Sequence, residues 1–311
     1  VQGSKTFHVA SVEAYSSWTT AASGYTMEAL GPDYLSEGLY YRASGEDPWK
    51  SEIPQTFTTL YVKTAGDNTV MTAEQMKAVA DAVKALAAPA TVDFSEVVYE
   101  SETFPNSFKS NANLAGIVFP QNVTKTASAA FQKTGMTSVT LLKGISYGSN
   151  AFDSCASLVS VTVEEGVTEI GNYMFQNTKL TDVTLPNSVT KIGASAFNGC
   201  SLTTINFGQG VKTIENSAFQ NCGELTEIIL PDATETLGQN AFGDCPKLAK
   251  ISLGKNMKTL EAYCFVGYSK GCPLLGDIIC RATTPPTLKD DYGTGPFGGG
   301  WSPVAGKDVP A

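Results

Sequence analysis

A phenylalanine that returns on a near-fixed period constrains this chain more than any other feature. It stands at Phe108, Phe131, Phe152, Phe175, Phe197, Phe219, Phe242 and Phe265. The interval is about 22 residues, inside the range of periods that marks stacked structural repeats. Between successive phenylalanines lies a short run with apolar residues at positions one, four and six: LAGIVF from Leu114, MTSVTL from Met136, LVSVTV from Leu158, LTDVTL from Leu180, LTTINF from Leu202, LTEIIL from Leu225 and LAKISL from Leu248. The offset from the start of a run to the next phenylalanine is the same in Leu114 to Phe131, Leu158 to Phe175, Leu180 to Phe197 and Leu225 to Phe242, and one shorter in Met136 to Phe152. The offset from a phenylalanine to the next run varies more. It is one longer in Phe152 to Leu158 than in Phe131 to Met136, and longest in Phe265 to Leu275. One arc is fixed by packing and one turn absorbs insertions, which is what a stack of similar coils demands of its sequence. The run is read as a parallel strand. Proline or glycine closes it in several coils (Pro120, Pro186, Gly208, Pro231, Gly254), and a second apolar pair such as Val189 and Ile192 precedes the turn that carries Ala-Phe.

The consensus L-x-x-I-x-L-P-x-x-V-x-x-I-G-x-x-A-F-x-x-C, seen almost whole in LTDVTLPNSVTKIGASAFNGC from Leu180 to Cys200, resembles the BspA-like leucine-rich repeat family of bacterial surface proteins. The resemblance covers roughly residues 86 to 290, and CRATTPPTL, Cys280 to Leu288, is similar to the family's last-coil sequence. It implies a repeat solenoid with a parallel β ladder and irregular or short helical turns. Four segments are expected: a small β module over residues 1–55, a strand-helix cap over 56–90, a solenoid of about eight coils over 91–288, and a C-terminal cap or tail over 289–311. The cap rests on TAEQMKAVADAVKALAA, which places Met76, Val79, Ala80, Val83 and Leu86 on one helical face, with Thr72 and Gln75 spaced as a capping box. The resemblance further implies a protein either secreted or held at the outer surface, a lipid anchor on a removed N-terminal segment being one means of attachment, that adheres to or recognises host extracellular-matrix or other cell-surface proteins.

Composition removes other classes. A net charge of -9 disfavours nucleic acid and anionic membranes, and no stretch approaches a membrane-spanning helix, so no membrane insertion is expected. With His8 as the only histidine, the usual acid, base and metal constellations are missing, and neither a cofactor nor a metal nor an enzymatic activity is expected. The chain's matches to catalytic signatures lack their contexts. GISYG, Gly144 to Gly148, has no histidine after its serine; GTGPFG, Gly293 to Gly298, has no preceding strand; SVTK, Ser188 to Lys191, is an ordinary piece of a coil. Asp290 and Asp291 lack the spaced oxygen ligands of a calcium loop.

The motif cysteines Cys155, Cys200, Cys222 and Cys245 share their slot with Asn111, Thr134 and Thr178, so the slot takes a small side chain and the thiols are expected to be free and buried. After Phe265 an insertion carries the slot to Cys272 and creates a protruding loop with Tyr268 and Lys270 as candidate binding residues. The main candidate surface is the outward strand face: Thr140, Thr162, Thr184, Asn206 and Ile229 at position five, with Asp182, Glu227 and Lys250 at position three. An alternative is glycan binding, by stacking sugar rings on Trp18 and Trp49 in the N-terminal module; a third is a solenoid that serves only as a spacer.

Overall fold

The computed structural model describes residues 5–9, 25–29, 38–44, 46–65, 69–266 and 271–289. Each coil is a rung with hydrogen-bonded edges on more than one side, and the three edges differ in continuity. The long strands form the first, with positions three and five in register from rung to rung: Ser138 beside Ser160, Thr140 beside Thr162, Asp182 beside Thr204, Thr184 beside Asn206, Glu227 beside Lys250. The second apolar pairs form the other ladder, unbroken from Glu169–Ile170 through Lys191–Ile192, Thr213–Ile214, Thr236–Leu237 and Thr259–Leu260 to Thr287–Leu288. The third edge runs through the Ala-Phe turns, where the N–H of each column phenylalanine from Phe131 to Phe242 donates to a carbonyl in the following coil, as from Phe175 to Ala196 and from Phe197 to Ala218, both at 2.8 Å.

The turn geometry explains the residues around each phenylalanine. From Phe131 to Phe242, positions two before and two after each phenylalanine have left-handed backbones: Asn150 and Ser154 flank Phe152, Ser195 and Gly199 flank Phe197, Asn240 and Asp244 flank Phe242. Asn, Asp and Gly tolerate positive φ best, and they fill many of these places. Close approach adds a second demand at Gly193, where a Cβ would sit 2.4 Å from the Asn172 side-chain oxygen.

Inside the rungs the phenylalanines stack. Ring centroids from Phe131 through Phe152, Phe175, Phe197 and Phe219 to Phe242 are 5.2 to 5.7 Å apart, with planes within 20°. The first coil departs from the sequence register: Phe104, not Phe108, stacks on Phe131 at 5.5 Å, and Phe108 lies on the far side of Phe104 at 6.0 Å. Burying a column of aromatic side chains, each wholly enclosed, adds a large apolar contribution to this core.

At the N-terminal end the helix Ala73–Lys84 buries Met76, Val79, Ala80 and Val83, and the Thr72–Gln75 capping box forms. Asn111 donates to Ala80 O at 2.8 Å, and Asn113 donates to Lys84 O and Leu86 O, so side chains of the first coil satisfy carbonyls at the helix C-terminus. Strand Gly38–Arg42 pairs antiparallel with Thr59–Ala65, which continues in parallel to Ala90–Glu96 and on to Leu114–Val118. Lys5–Val9 and Tyr25–Ala29 form a separate parallel pair. At the other end Arg281 donates to Leu253 O and Leu230 O and pairs with Asp232 at 3.3 Å, tying the last coil to the two before it.

Candidate functional site

The candidate strand face is built by alternation. Positions four and six turn inward, so positions three and five turn out. Thr140, Thr162, Asp182, Thr184, Asn206, Glu227 and Ile229 are exposed and Lys250 is half-buried, all on one side of the solenoid. Ile229, 60% exposed, is the most accessible large apolar side chain on this strip. Toward the N-terminal end the strip is uncharged and hydroxyl-bearing; toward the C-terminal end it carries charge.

One ion pair on the strip and three beside it join successive coils, a feature the sequence reading missed. Glu224 pairs with Lys247 at 2.6 Å, Glu227 with Lys250 at 2.9 Å, Asp232 with Lys255 at 3.1 Å and Glu235 with Lys258 at 2.7 Å. One coil supplies the acids and the next supplies the lysines at the same coil positions. The signal was available: acids and lysines at matching positions become neighbours once coils stack in register. Pairs this exposed to solvent contribute little to stability. Their main consequence is that Glu227 and Lys250 present a neutralised pair to a partner.

The cysteine slot is a hydrogen-bonding position. Cys155, Cys200, Cys222 and Cys245 donate their thiols to the carbonyls of Phe131, Phe175, Phe197 and Phe219 in the preceding coil, at 3.0 to 3.3 Å. Thr134 and Thr178 donate instead to Phe131 O and Phe175 O in their own turn. Cys272 donates to Phe242 O at 3.3 Å, so the insertion after Phe265 leaves the slot occupied. All seven cysteines are free, with Cys280 exposed and Cys272 half-buried. Burial pushes the Cys200 thiol up to about 11 and also raises those of Cys155, Cys222 and Cys264. A hydrogen bond between Cys245 and Cys272 raises the first and lowers the second. The five buried thiols are therefore protonated at neutral pH and poorly nucleophilic.

The remaining sequence candidates divide by location. Trp18, Tyr268, Lys270, Asp290, Asp291 and the stretch Gly293 to Gly298 lie outside the described residues. Trp49 is half-buried beneath the Arg42 guanidinium, 4.3 Å from the ring centroid, with Lys63 Nζ at 5.6 Å. Glu96 holds both cations, at 3.9 and 3.2 Å. Ser146 of GISYG exchanges backbone hydrogen bonds with Thr124 and Thr126, and Lys191 of SVTK pairs with Glu215 at 3.0 Å, so both motifs serve the coil. Among the described residues no group of three or more acidic, cysteine or histidine side chains is placed to hold a metal, and no helix is long and apolar enough to cross a membrane.

Residues 98–147 and 145–271 match the BspA type leucine rich repeat region, in six copies. No curated protein matches the sequence. Solved structures that resemble the chain include a leucine rich cell surface protein from Faecalibacterium prausnitzii, 22% identical, TM-score 0.44, covering 62% of this chain and 60% of that one. The pneumococcal vaccine antigen PcpA is 17% identical, TM-score 0.30, over 63% of this chain and 69% of that one. A leucine-rich repeat protein from Bacteroides ovatus is 16% identical, TM-score 0.27, over 79% and 88%. The chain thus spans 60% of the length of the Faecalibacterium protein.

Proposed function

This chain belongs to the BspA-type leucine-rich repeat family, and from that premise we propose that it is a non-catalytic recognition protein of a bacterial surface, binding other proteins through its long-strand face. The observation that supports this reading is the strip itself: side chains at positions three and five, exposed and in register along the rungs. A strip of threonines, serines and paired charges offers many modest contacts and no single catalytic group, and a stacked backbone presents them with little ordering cost on binding. Repeat proteins of this kind present extended binding surfaces for that purpose. Adhesion to host matrix or to other cells follows if the chain is displayed outside the cell, as proteins of this family typically are.

The test is binding of the full chain to a panel of immobilised extracellular-matrix proteins, with a glycan array as the second arm. We expect at least one matrix protein to bind, and Thr162→Arg with Thr184→Arg to weaken it tenfold or more. Binding confined to glycans, and lost in Trp49→Ala, would replace this reading with the carbohydrate one.

A further inference from the structure

The long-strand ladder is interrupted at three places, while the second ladder beneath it runs on from residue 169 to residue 288. The breaks fall between Leu114–Val118 and Ser138–Leu141, between Ser160–Val163 and Asp182–Thr184, and between Thr204–Asn206 and Glu227–Ile229. At each of them the connection from phenylalanine to strand changes length by one residue. The same change between Ser138–Leu141 and Ser160–Val163 leaves the pairing intact, so a change of length accompanies the breaks without being sufficient for one. Two of the three breaks follow a coil with phenylalanine in place of the usual aliphatic residue at position six. Phe119 lies edge-on to Phe131, with centroids 5.9 Å apart, and Phe207 lies edge-on to Phe219 at 5.6 Å. A ring there occupies more of the space that parallel strands about 4.8 Å apart can spare.

At the first break the strands splay furthest. The rungs remain joined below it, where Ser146 N donates to Thr124 O at 2.8 Å and Thr126 N donates to Ser146 O at 2.9 Å. The result is a wedge-shaped cleft of about 400 Å³, open to the strand face, with Phe119, Met136, Leu142 and Phe152 on its walls and Gly116 and Thr140 at its mouth. Position four of the run is buried in Val183, Ile228 and Ile251; Ile117 and Val139 at this break are partly exposed, as are Val161 and Ile205 beside the other two.

We infer that this cleft is the anchor point of the strand face, and that its occupant is an uncharged, extended peptide segment that inserts an apolar side chain. The inference deepens the protein-recognition reading above and rests on it. Three observations select this occupant. The large side chains on the cleft's walls are apolar. The two strands that flank it each have one edge without a ladder partner, and an extended segment is the structure that satisfies strand-edge N–H and C=O groups in series. The strip around the mouth (Gly116, Val118, Ser138, Thr140, Ser160, Thr162) is uncharged, in a protein with a net charge of -9. The carboxylate on the adjoining strand, Asp93, accepts from the Ser95 backbone N–H at 2.8 Å. A charged side chain entering the cleft would lose hydration among lining residues none of which carries a charge.

The test is amide chemical-shift mapping on the labelled full chain, with a capped octapeptide of alternating threonine and leucine as the probe. Two control peptides replace leucine by lysine, or methylate alternate backbone nitrogens. We expect the first peptide to shift amides of residues 116–118 and 138–140, Thr140→Arg and Val118→Arg to weaken it tenfold or more with unchanged melting temperature, Glu165→Arg, exposed and off the strand face, to leave it unaltered, and both controls to fail. Equal binding of the lysine or N-methyl peptide overturns the inference, as does the absence of shifts at these residues. Shifts confined to residues 160–206 overturn it while leaving the broader strand-face reading in place. Peptide binding in the cleft without any matrix-protein binding would do the reverse.

Discussion

The thiol slot shows how much a single side chain is asked to do in this repeat. Its occupant must be small and must donate to a main-chain carbonyl. Cys222 reaches the phenylalanine carbonyl of the preceding coil, Thr134 the one in its own turn, and Asn111, which has the helix as its neighbour, reaches Ala80 O. Cys222→Thr should therefore cost less than about 1 kcal/mol, whereas Cys222→Val, similar in volume but without a donor, should cost about 1 kcal/mol more by denaturant unfolding. The same burial sets the pH response. Cys200, pushed up to about 11, keeps its proton when folded at pH values where the unfolded thiol has lost it. The folded state then binds more protons than the unfolded one, so stability falls as pH rises from about 9 towards 11. At neutral pH, alkylation of the native protein should label Cys272 and Cys280 and leave the five buried thiols unlabelled. Labelling of Cys200 or Cys222 before unfolding would contradict this packing. The sequence showed that the slot accepts Thr and Asn; it did not show the donor requirement, because the carbonyl that a thiol reaches belongs to the preceding coil.

At the scale of elements, what was legible was whatever repeats. The strand runs, the second apolar pair, the phenylalanine column and the helix face of Met76, Val79, Ala80 and Val83 all follow from periodicity, since each coil must reproduce the apolar positions of its neighbour. What was not legible arises between coils. The reach of Arg281 across two rungs and the substitution of Phe104 for Phe108 in the column depend on which coils touch. So do the breaks in the long-strand ladder. The one-residue changes in the variable turn were visible in the sequence, but which of them part the strands, on one edge only, depends on how neighbouring rungs pack. Hydrogen exchange reads this directly: the amides of Leu114–Val118 and Ser138–Leu141 that face the break should exchange tenfold or more faster than the ladder-bonded amides of Thr213–Ile214 and Thr236–Leu237. Uniform protection across both ladders would mean that the breaks do not exist in solution.

The whole molecule separates an inside that specifies the fold from an outside that is free to recognise. The separation is sharpest within one coil, Leu180 to Cys200, where Phe197 is wholly buried in the column and Thr184 stands exposed on the strip. The measurement that tests it most directly is the unfolding free energy of Phe197→Ala beside that of Thr184→Arg. Phe197→Ala should lose about 3 to 5 kcal/mol, because it opens a gap in a continuous stack. Thr184→Arg should stay within about 0.5 kcal/mol of the parent. An unchanged stability for Phe197→Ala, or an equal loss in both variants, would contradict the stacked-coil account.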